Sequence, residues 1–495
     1  MPNDYQDREF ILAGIREGFS IVDSEKIVSS AEVNNYRSAT SCSVRARVED
    51  QILTEIENGH YRIVDYKPDI VSALGAIPKK DSAKVRLIHD ASRPQGNALN
   101  DFATTNHFKY QSIQDAVDLV TPGCFFAKVD LANAYRSVTI HPSNHRATGL
   151  KWQFRGNDHF TYMIDERLPF GAARSPEIFN RITQAVRAIM ANQGYKTIVC
   201  YLDDFLIVAS TYEECMQALN YLLTLLRTLG FQINYSKVDG PKTEMVFLGI
   251  VFSSNDMTLR IPVNKLNETQ SLMQRIFHSK KITKREIQSL VGKLNWITQC
   301  IYGGRYHMRR LIDKANTLRK PWHRARVTND MKLDLQWWLS FMRMFNGSVP
   351  MVDSRPATPV SIDACKTAAG AFFNGDFVYT PWSQKTRVLP INYLEVLALE
   401  PAASRWAQIW ANKKVFVHCD NLAACSIINK GSCKHPLVMD SLRRIFWLSA
   451  VYNFRIRAVY YPGSANFLAD SVSRLHEQGG FNRLMCNMKY RFLFL

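Results

Sequence analysis

The sequence predicts an α+β region over residues 1–345 followed by an α/β domain over 360–476. Three observations carry this. Apolar, β-prone runs at 198–200 and 205–208 flank Tyr201-Leu202-Asp203-Asp204, the pattern of a strand, a tight acidic turn and a strand. Residues 125–130 read as a short apolar strand ending in Asp130, and Ile178, Phe179, Ile182, Val186, Ile189 and Met190 follow later at helical spacing. In 360–476, strands ending in Asp363 and Asp420 alternate with helical stretches carrying Glu395 and Asp470.

Taken in order, 1–75 read as a helical, mixed-charge lead-in whose clearest helix is 43–57, with the start of the next region at its end. Residues 76–240 hold the first acidic centre, with Ser175 as a helix N-cap and Pro176 as the first helical residue. Residues 241–345 are helical and basic. There Thr283-x-x-Glu286 fits a capping box, and Ile287, Leu290, Val291, Leu294, Ile297 and Ile301 form an apolar stripe with Lys293 on the polar face. Pro, Ser and Gly mark 346–359 as a linker. Asn374-Gly375 suits a type I′ hairpin turn. A helix over 391–406 carries Glu395; Asn392-x-x-Glu395 also fits a capping box, Glu400 is a competing acid, and Pro401 interrupts the helix. Asp470 lies in a final helix, and 477–495 is an unassigned tail.

The 495 residues have room for about three domains at ~150 residues each. Lys and Arg number 62 against 44 Asp and Glu, and the resulting +18 suits a polyanionic partner. Residues 278–327 alone hold thirteen Lys or Arg and two acids, interleaved with Trp296, Tyr302, Tyr306 and Trp322. That stretch reads either as a solvated helix face or as a contact for duplex phosphates. Ten Cys show no C-x-x-C pair or zinc spacing, so reduced, buried thiols are expected in an intracellular protein of cytoplasm or nucleus. The polar first ten residues argue against a signal peptide, and no apolar run reaches membrane-spanning length.

Adjacent carboxylates at Asp203 and Asp204 need a cation, and Mg²⁺ takes hard oxygen ligands. Alone, the pair fits a solvated turn, and Asp130 alone fits a helix N-cap. The order Asp130, Leu168-Pro169-Phe170-Gly171…Ser175-Pro176-Glu177-Ile178-Phe179-Asn180, Tyr201-Leu202-Asp203-Asp204 resembles the palm of a retroelement reverse transcriptase. Residues 76–90 resemble its fingers hairpin, and Phe247-Leu248-Gly249-Ile250 its primer-supporting motif. The resemblance implies a right-hand polymerase with fingers and palm over 76–240 and thumb plus helical connection over 241–345. It further implies Asp130, Asp203 and Asp204 as Mg²⁺ ligands, Asp204 less directly. For the incoming dNTP it implies Lys79 and Arg86 on the triphosphate, Tyr135 as a gate against a ribose 2′-OH, Phe170 packing under the base, and Gly171 letting backbone approach the base pair. Phe247, Leu248, Gly249, Lys293, Arg309 and Arg310 would contact nucleic acid.

Asp363, Glu395, Asp420 and Asp470 resemble the four-carboxylate centre of a ribonuclease H-like domain, again with two Mg²⁺ and with Mn²⁺ as a substitute. Tyr460 stands where many such enzymes have a mobile His. More finely, 86–101, Val291-Gly292-Lys293-Leu294-Asn295, Arg309-Arg310-Leu311-Ile312 and 461–474 resemble DIRS-type retrotransposons, whose tyrosine recombinase would come from another reading frame. The function implied is RNA- and DNA-templated DNA synthesis with cleavage of RNA in RNA–DNA hybrids. The implied partners are an RNA template, a DNA primer, hybrids and dNTPs, with no membrane. The competing reading is a decayed or co-opted nucleic-acid-binding scaffold of the same fold. A scaffold has no need of metal ligands, and all seven carboxylates are present. A pararetroviral polymerase shares the chemistry but would add a protease or terminal-protein segment.

Overall fold

Phe125–Asp130 and Asp204–Ala209 are almost continuously apolar, as strands covered on both faces must be. In the computed structural model, which describes residues 1–78, 85–344, 347–477 and 479–492, they form the middle of a four-stranded sheet. Its order is Asp239–Lys242, Phe125–Asp130, Asp204–Ala209, Ile198–Tyr201. All pairings are antiparallel, with Asp204 opposite both Asp130 and Tyr201. Helices Ser175–Asn192 and Tyr212–Thr228 cover one face, packing Phe179, Ile182, Leu219 and Leu222 on Val129, Phe205 and Ile207. Arg174, not Ser175, occupies the cap of the first helix. Ser175 is already helical, and its hydroxyl donates to the Pro169 carbonyl at 3.0 Å.

The chain divides into two compact units, Met1–Met257 and Thr258–Leu495. In the first, Cys42–Glu57 is helical as expected, but the lead-in is not only helical. Ala31–Glu32, Tyr61–Val64 and Ile70–Val71 join Gly149–Trp152 and Thr161–Asp165 in a second sheet. Ala73–Pro78 and Val85–Asp90 pair antiparallel. Lys79 lies outside the described residues.

In the second unit, helices Val263–His278, Lys284–Ile297, Arg309–Asn316 and Asn329–Met344 pack together. The capping box forms: Thr283 Oγ1 accepts from the Glu286 N–H at 3.2 Å, and Glu286 accepts from the Thr283 N–H at 2.9 Å. The segment 346–359 is not a bare spacer. Ser348–Pro350 pairs with Thr258–Arg260, and a strand begins at Ala357. A five-stranded sheet follows in the order Asp376–Pro381, Ala368–Phe373, Ala357–Ala364, Lys414–Cys419, Arg455–Tyr460. The first three strands are antiparallel and the last two join in parallel. Asn374 at φ 48° and Gly375 at φ 86° make the two-residue turn. The 391–406 helix is divided into Ile391–Leu397 and Leu399–Trp406, because Pro401 has no N–H for the Leu397 carbonyl. The capping box at Asn392 does not form; Pro390 holds the cap position, so Asn392 is already inside the helix. The tail contributes helix Gly480–Phe492, whose Leu484 is buried with Phe372, Leu468 and Val472. Seven thiols are buried and Cys365 is half-buried, but Cys42 and Cys486 are exposed, contrary to expectation, because each lies on a solvent-facing side of its helix. Among the described residues, no helix is long and apolar enough to cross a membrane.

Candidate active sites

Strand register sets the first site. Asp130 ends its strand directly opposite Asp204, and Asp203 sits in the two-residue turn after Leu202, whose φ of 52° closes the hairpin. Directly opposed residues have Cβ atoms about 5 Å apart. The Leu131 N–H donates to the Asp203 carbonyl at 3.0 Å, tying the turn to the end of the neighbouring strand. Burial, then repulsion from Asp203 and Asp130, pushes Asp204 up to about 6. Burial and Asp130 also raise Asp203. Lys237 Nζ donates to both Asp130 oxygens at 2.8 and 2.9 Å, and its own pKa is raised by that bond. Nothing in local sequence pattern marked this lysine.

A cavity of about 500 Å³ opens over these groups, lined by Asp130, Asp203, Arg86, Tyr135, Phe170 and Lys237 among others; Asp204 is not on its wall. Tyr135 stacks on Phe170 with centroids 5.1 Å apart and planes at 28°. The Arg86 guanidinium lies 5.7 Å from the Phe170 ring centre. Gly171 has a φ of 132°, and a Cβ there would meet the His89 carbonyl oxygen at 2.1 Å. The close approach that requires glycine is therefore to the protein's own strand Val85–Asp90, which also donates its His89 N–H to the Phe170 carbonyl at 3.0 Å. Behind the wall, Arg136 is buried between Glu55 and Asp165 at 3.0 and 2.9 Å, and Tyr61 and His89 share a hydrogen bond of 2.9 Å. This network joins residues from separate strands and one helix, which is why sequence reading missed it.

The remaining expected nucleic-acid contacts separate. Phe247 is fully buried against Phe252, while Leu248 and Gly249 form the turn beyond it. Lys293 pairs with Glu268 at 3.2 Å. Arg309 pairs with Asp313, and Arg310 with the fully buried Asp334 at 2.7 Å. The guanidinium groups of Arg309 and Arg310 are thus both ion-paired within the fold. Asp334 is brought to Arg310 by helix packing, which spacing does not reveal.

In the second unit, Asp363, Glu395, Asp420 and Asp470 line one cavity of about 740 Å³. Glu395 is pushed up to about 9 by burial and then by Asp363 and Asp420. Asp363 rises to about 6, mainly from burial, against a 2.6 Å hydrogen bond donated by Ser473. Glu395, Cys419 and Asp420 each offer a ligand atom, all within 4.8 Å of one another. Tyr460 ends its strand, 48% exposed, and does not line this cavity, whereas His476 does, 2.7 Å from Thr367 Oγ1. In both centres burial, and then repulsion between carboxylates, raises Asp203, Asp204, Asp363 and Glu395, the electrostatic setting that a hard divalent cation relieves.

Residues 77–252 match the family model described as reverse transcriptase (RNA-dependent DNA polymerase), so the first unit carries a reverse transcriptase domain. The Transposon Tf2-3 and Tf2-7 polyproteins of Schizosaccharomyces pombe (strain 972) are each 22% identical over 428 residues, covering 81% of this chain and 29% of the relative. The chain therefore spans under a third of these relatives' length. A foamy viral protease-reverse transcriptase solved in complex with RNA/DNA hybrid superposes with a TM-score of 0.55 at 16% identity, over 93% of this chain and 61% of that one. A foamy viral protease-reverse transcriptase dRH in complex with ds DNA gives 0.51 at 14%, over 93% and 79%. At these identities the likeness is one of fold: an α+β right-hand polymerase followed by an α/β ribonuclease H-like domain.

Proposed function

We propose that this chain is a retroelement reverse transcriptase that builds DNA on RNA and DNA templates and cleaves RNA in RNA–DNA hybrids. The observation that carries the reading is Asp130 facing Asp204 across adjacent strands, with Asp203 in the turn, beneath a cavity also lined by Arg86, Tyr135 and Phe170. Asp130, Asp203 and Asp204 would hold Mg²⁺, or Mn²⁺ in its place, and Asp363, Glu395, Asp420 and Asp470 would do so in the second centre. Two such cations per centre supply charge stabilisation to the attacking and leaving oxygens of an in-line displacement. The chain's own groups do the positioning. Arg86 and Lys79 hold the triphosphate. Tyr135, braced on Phe170, closes the space a 2′-OH would need. The Leu248-Gly249 turn supports the primer end. Lys237 neutralises Asp130 and, with its side chain 58% exposed, is free to swing away. Within retroelements, the motifs at 86–101 and 461–474 favour a DIRS-type element, with a tyrosine recombinase as partner.

The test is extension of a DNA primer on an RNA template in Mg²⁺. Wild type should extend and Asp203→Asn should not, because the substitution removes a charged ligand and keeps its shape. Extension that survives Asp203→Asn would overturn the reading.

A further inference from the structure

Lys281–Thr283 and Arg324–Arg326 pair antiparallel, with Lys281 opposite Arg326 and Thr283 opposite Arg324. Ile282 and Ala325 point inward and are buried, so strand alternation puts Lys281, Arg324 and Arg326 together on the exposed face. Like charges directly opposite on a strand pair are destabilising. Among the described residues none of these three makes an ion pair, whereas Arg275, Lys293, Arg309 and Arg310 all do. A ribbon charged this way has an uncompensated field that an anionic partner would relieve.

The loop leading into the second strand is pinned. The Arg285 N–H donates to the Pro321 carbonyl and the Lys284 N–H to the His323 carbonyl, both at 2.9 Å. Lys284 Nζ donates to the Leu318 carbonyl at 2.7 Å. These bonds hold Trp322 out from the first turn of helix Lys284–Ile297 with 68% of its surface exposed. Lys320 Nζ lies 5.3 Å from its ring centre. An indole this open, on backbone this fixed, is a ready stacking face flanked by cations.

We propose that the ribbon and Trp322 form a binding surface for single-stranded nucleic acid. Lys281, Arg324 and Arg326 take its phosphates, and Trp322 stacks on an unpaired base. A duplex would meet the same cations but buries its base faces, so it leaves the indole unused. The inference goes beyond the polymerase and nuclease reading and requires neither activity.

The experiment titrates the full chain into labelled oligo(dT) and into a blunt DNA duplex of equal length, over a range of salt. Trp322→Ala should weaken oligo(dT) binding about tenfold, within the range for one base–aromatic stack, and leave duplex binding unchanged. Trp322→Phe should keep most of the affinity. Lys281→Ala with Arg326→Ala should flatten the oligo(dT) slope of log K against log salt by about 1.4, or about 0.7 per phosphate contact. An equal loss on the duplex in Trp322→Ala would make the surface a duplex contact and overturn the proposal; so would unchanged oligo(dT) affinity in Trp322→Ala or an unchanged oligo(dT) slope in the Lys281 and Arg326 variant. Primer extension is measured in parallel. A chain that binds oligo(dT) through Trp322 yet extends no primer keeps this surface and loses the proposed function.

Discussion

Tyr135 lies with its ring against Phe170, in the short helical turn that follows Asp130. On the proposed reading, a ring held there would leave no space for a 2′-OH. Tyr135→Val is expected to raise kcat/KM for ribonucleotides relative to deoxynucleotides in single-nucleotide insertion; equal losses for both would leave Tyr135 as packing only. Its neighbour Arg136 is 7% exposed and ion-paired with Asp165 and Glu55, which gives the turn a fixed anchor. In the same network, burial holds His89 down to about 4. The unfolded chain, with an ordinary His near 6.5, then binds more protons between pH 4 and 6.5. Stability is therefore fully present above pH 6.5 and lost as pH falls towards 4, by about 3 kcal/mol from this one group. Denaturant midpoints at pH 7 and 4.5 should show the loss, and His89→Gln should lessen it. A midpoint shift no smaller in the variant would mean that His89 does not carry the acid sensitivity.

At the scale of elements, an ion pair between helices engages one of the cations that a linear reading assigns to phosphates. Arg310 joins helix Arg309–Asn316 to helix Asn329–Met344 through Asp334, which burial holds above the ordinary carboxylate range and which the guanidinium pulls back only in part. Arg310→Ala leaves that buried carboxylate short of its nearest partner. The expected cost is about 3 kcal/mol of stability, with an unchanged salt slope for primer–template binding. Normal stability with a flattened slope would instead return Arg310 to the nucleic-acid interface. Pairing of Ser348–Pro350 with Thr258–Arg260 and the helix break ahead of Pro401 show the same thing at backbone level. Short pieces are held by partners distant in sequence, and a missing N–H has its effect one turn upstream.

At the scale of the molecule, each compact unit gathers its own carboxylates: Asp130, Asp203 and Asp204 in the first, Asp363, Glu395, Asp420 and Asp470 in the second. The two activities proposed for them should therefore separate. Asp420→Asn is expected to abolish hydrolysis of the RNA strand in a hybrid and leave primer extension near wild type, and Asp203→Asn the reverse. A chain that extends primers but cleaves no hybrid in Mg²⁺ or Mn²⁺ would remove the nuclease from the proposal and leave the polymerase.

Features governed by a few neighbouring residues were legible in the sequence. The acidic turn between two apolar strands, the capping box at Thr283 and Glu286, the Asn374-Gly375 hairpin and the interruption at Pro401 all depend on local sterics and local hydrogen bonds. So did the presence of two carboxylate sets, because strand ends and helix faces are local patterns. The tertiary structure alone decided which charges meet. It put Lys237 on Asp130, Arg136 between Glu55 and Asp165, Arg310 on Asp334, and His89 against Gly171. It also set Lys281 beside Arg326 with no ion-paired acid among the described residues. Register and helix packing are settled by burial summed over the whole chain, so a pairing between residues far apart in sequence has no signature at either residue.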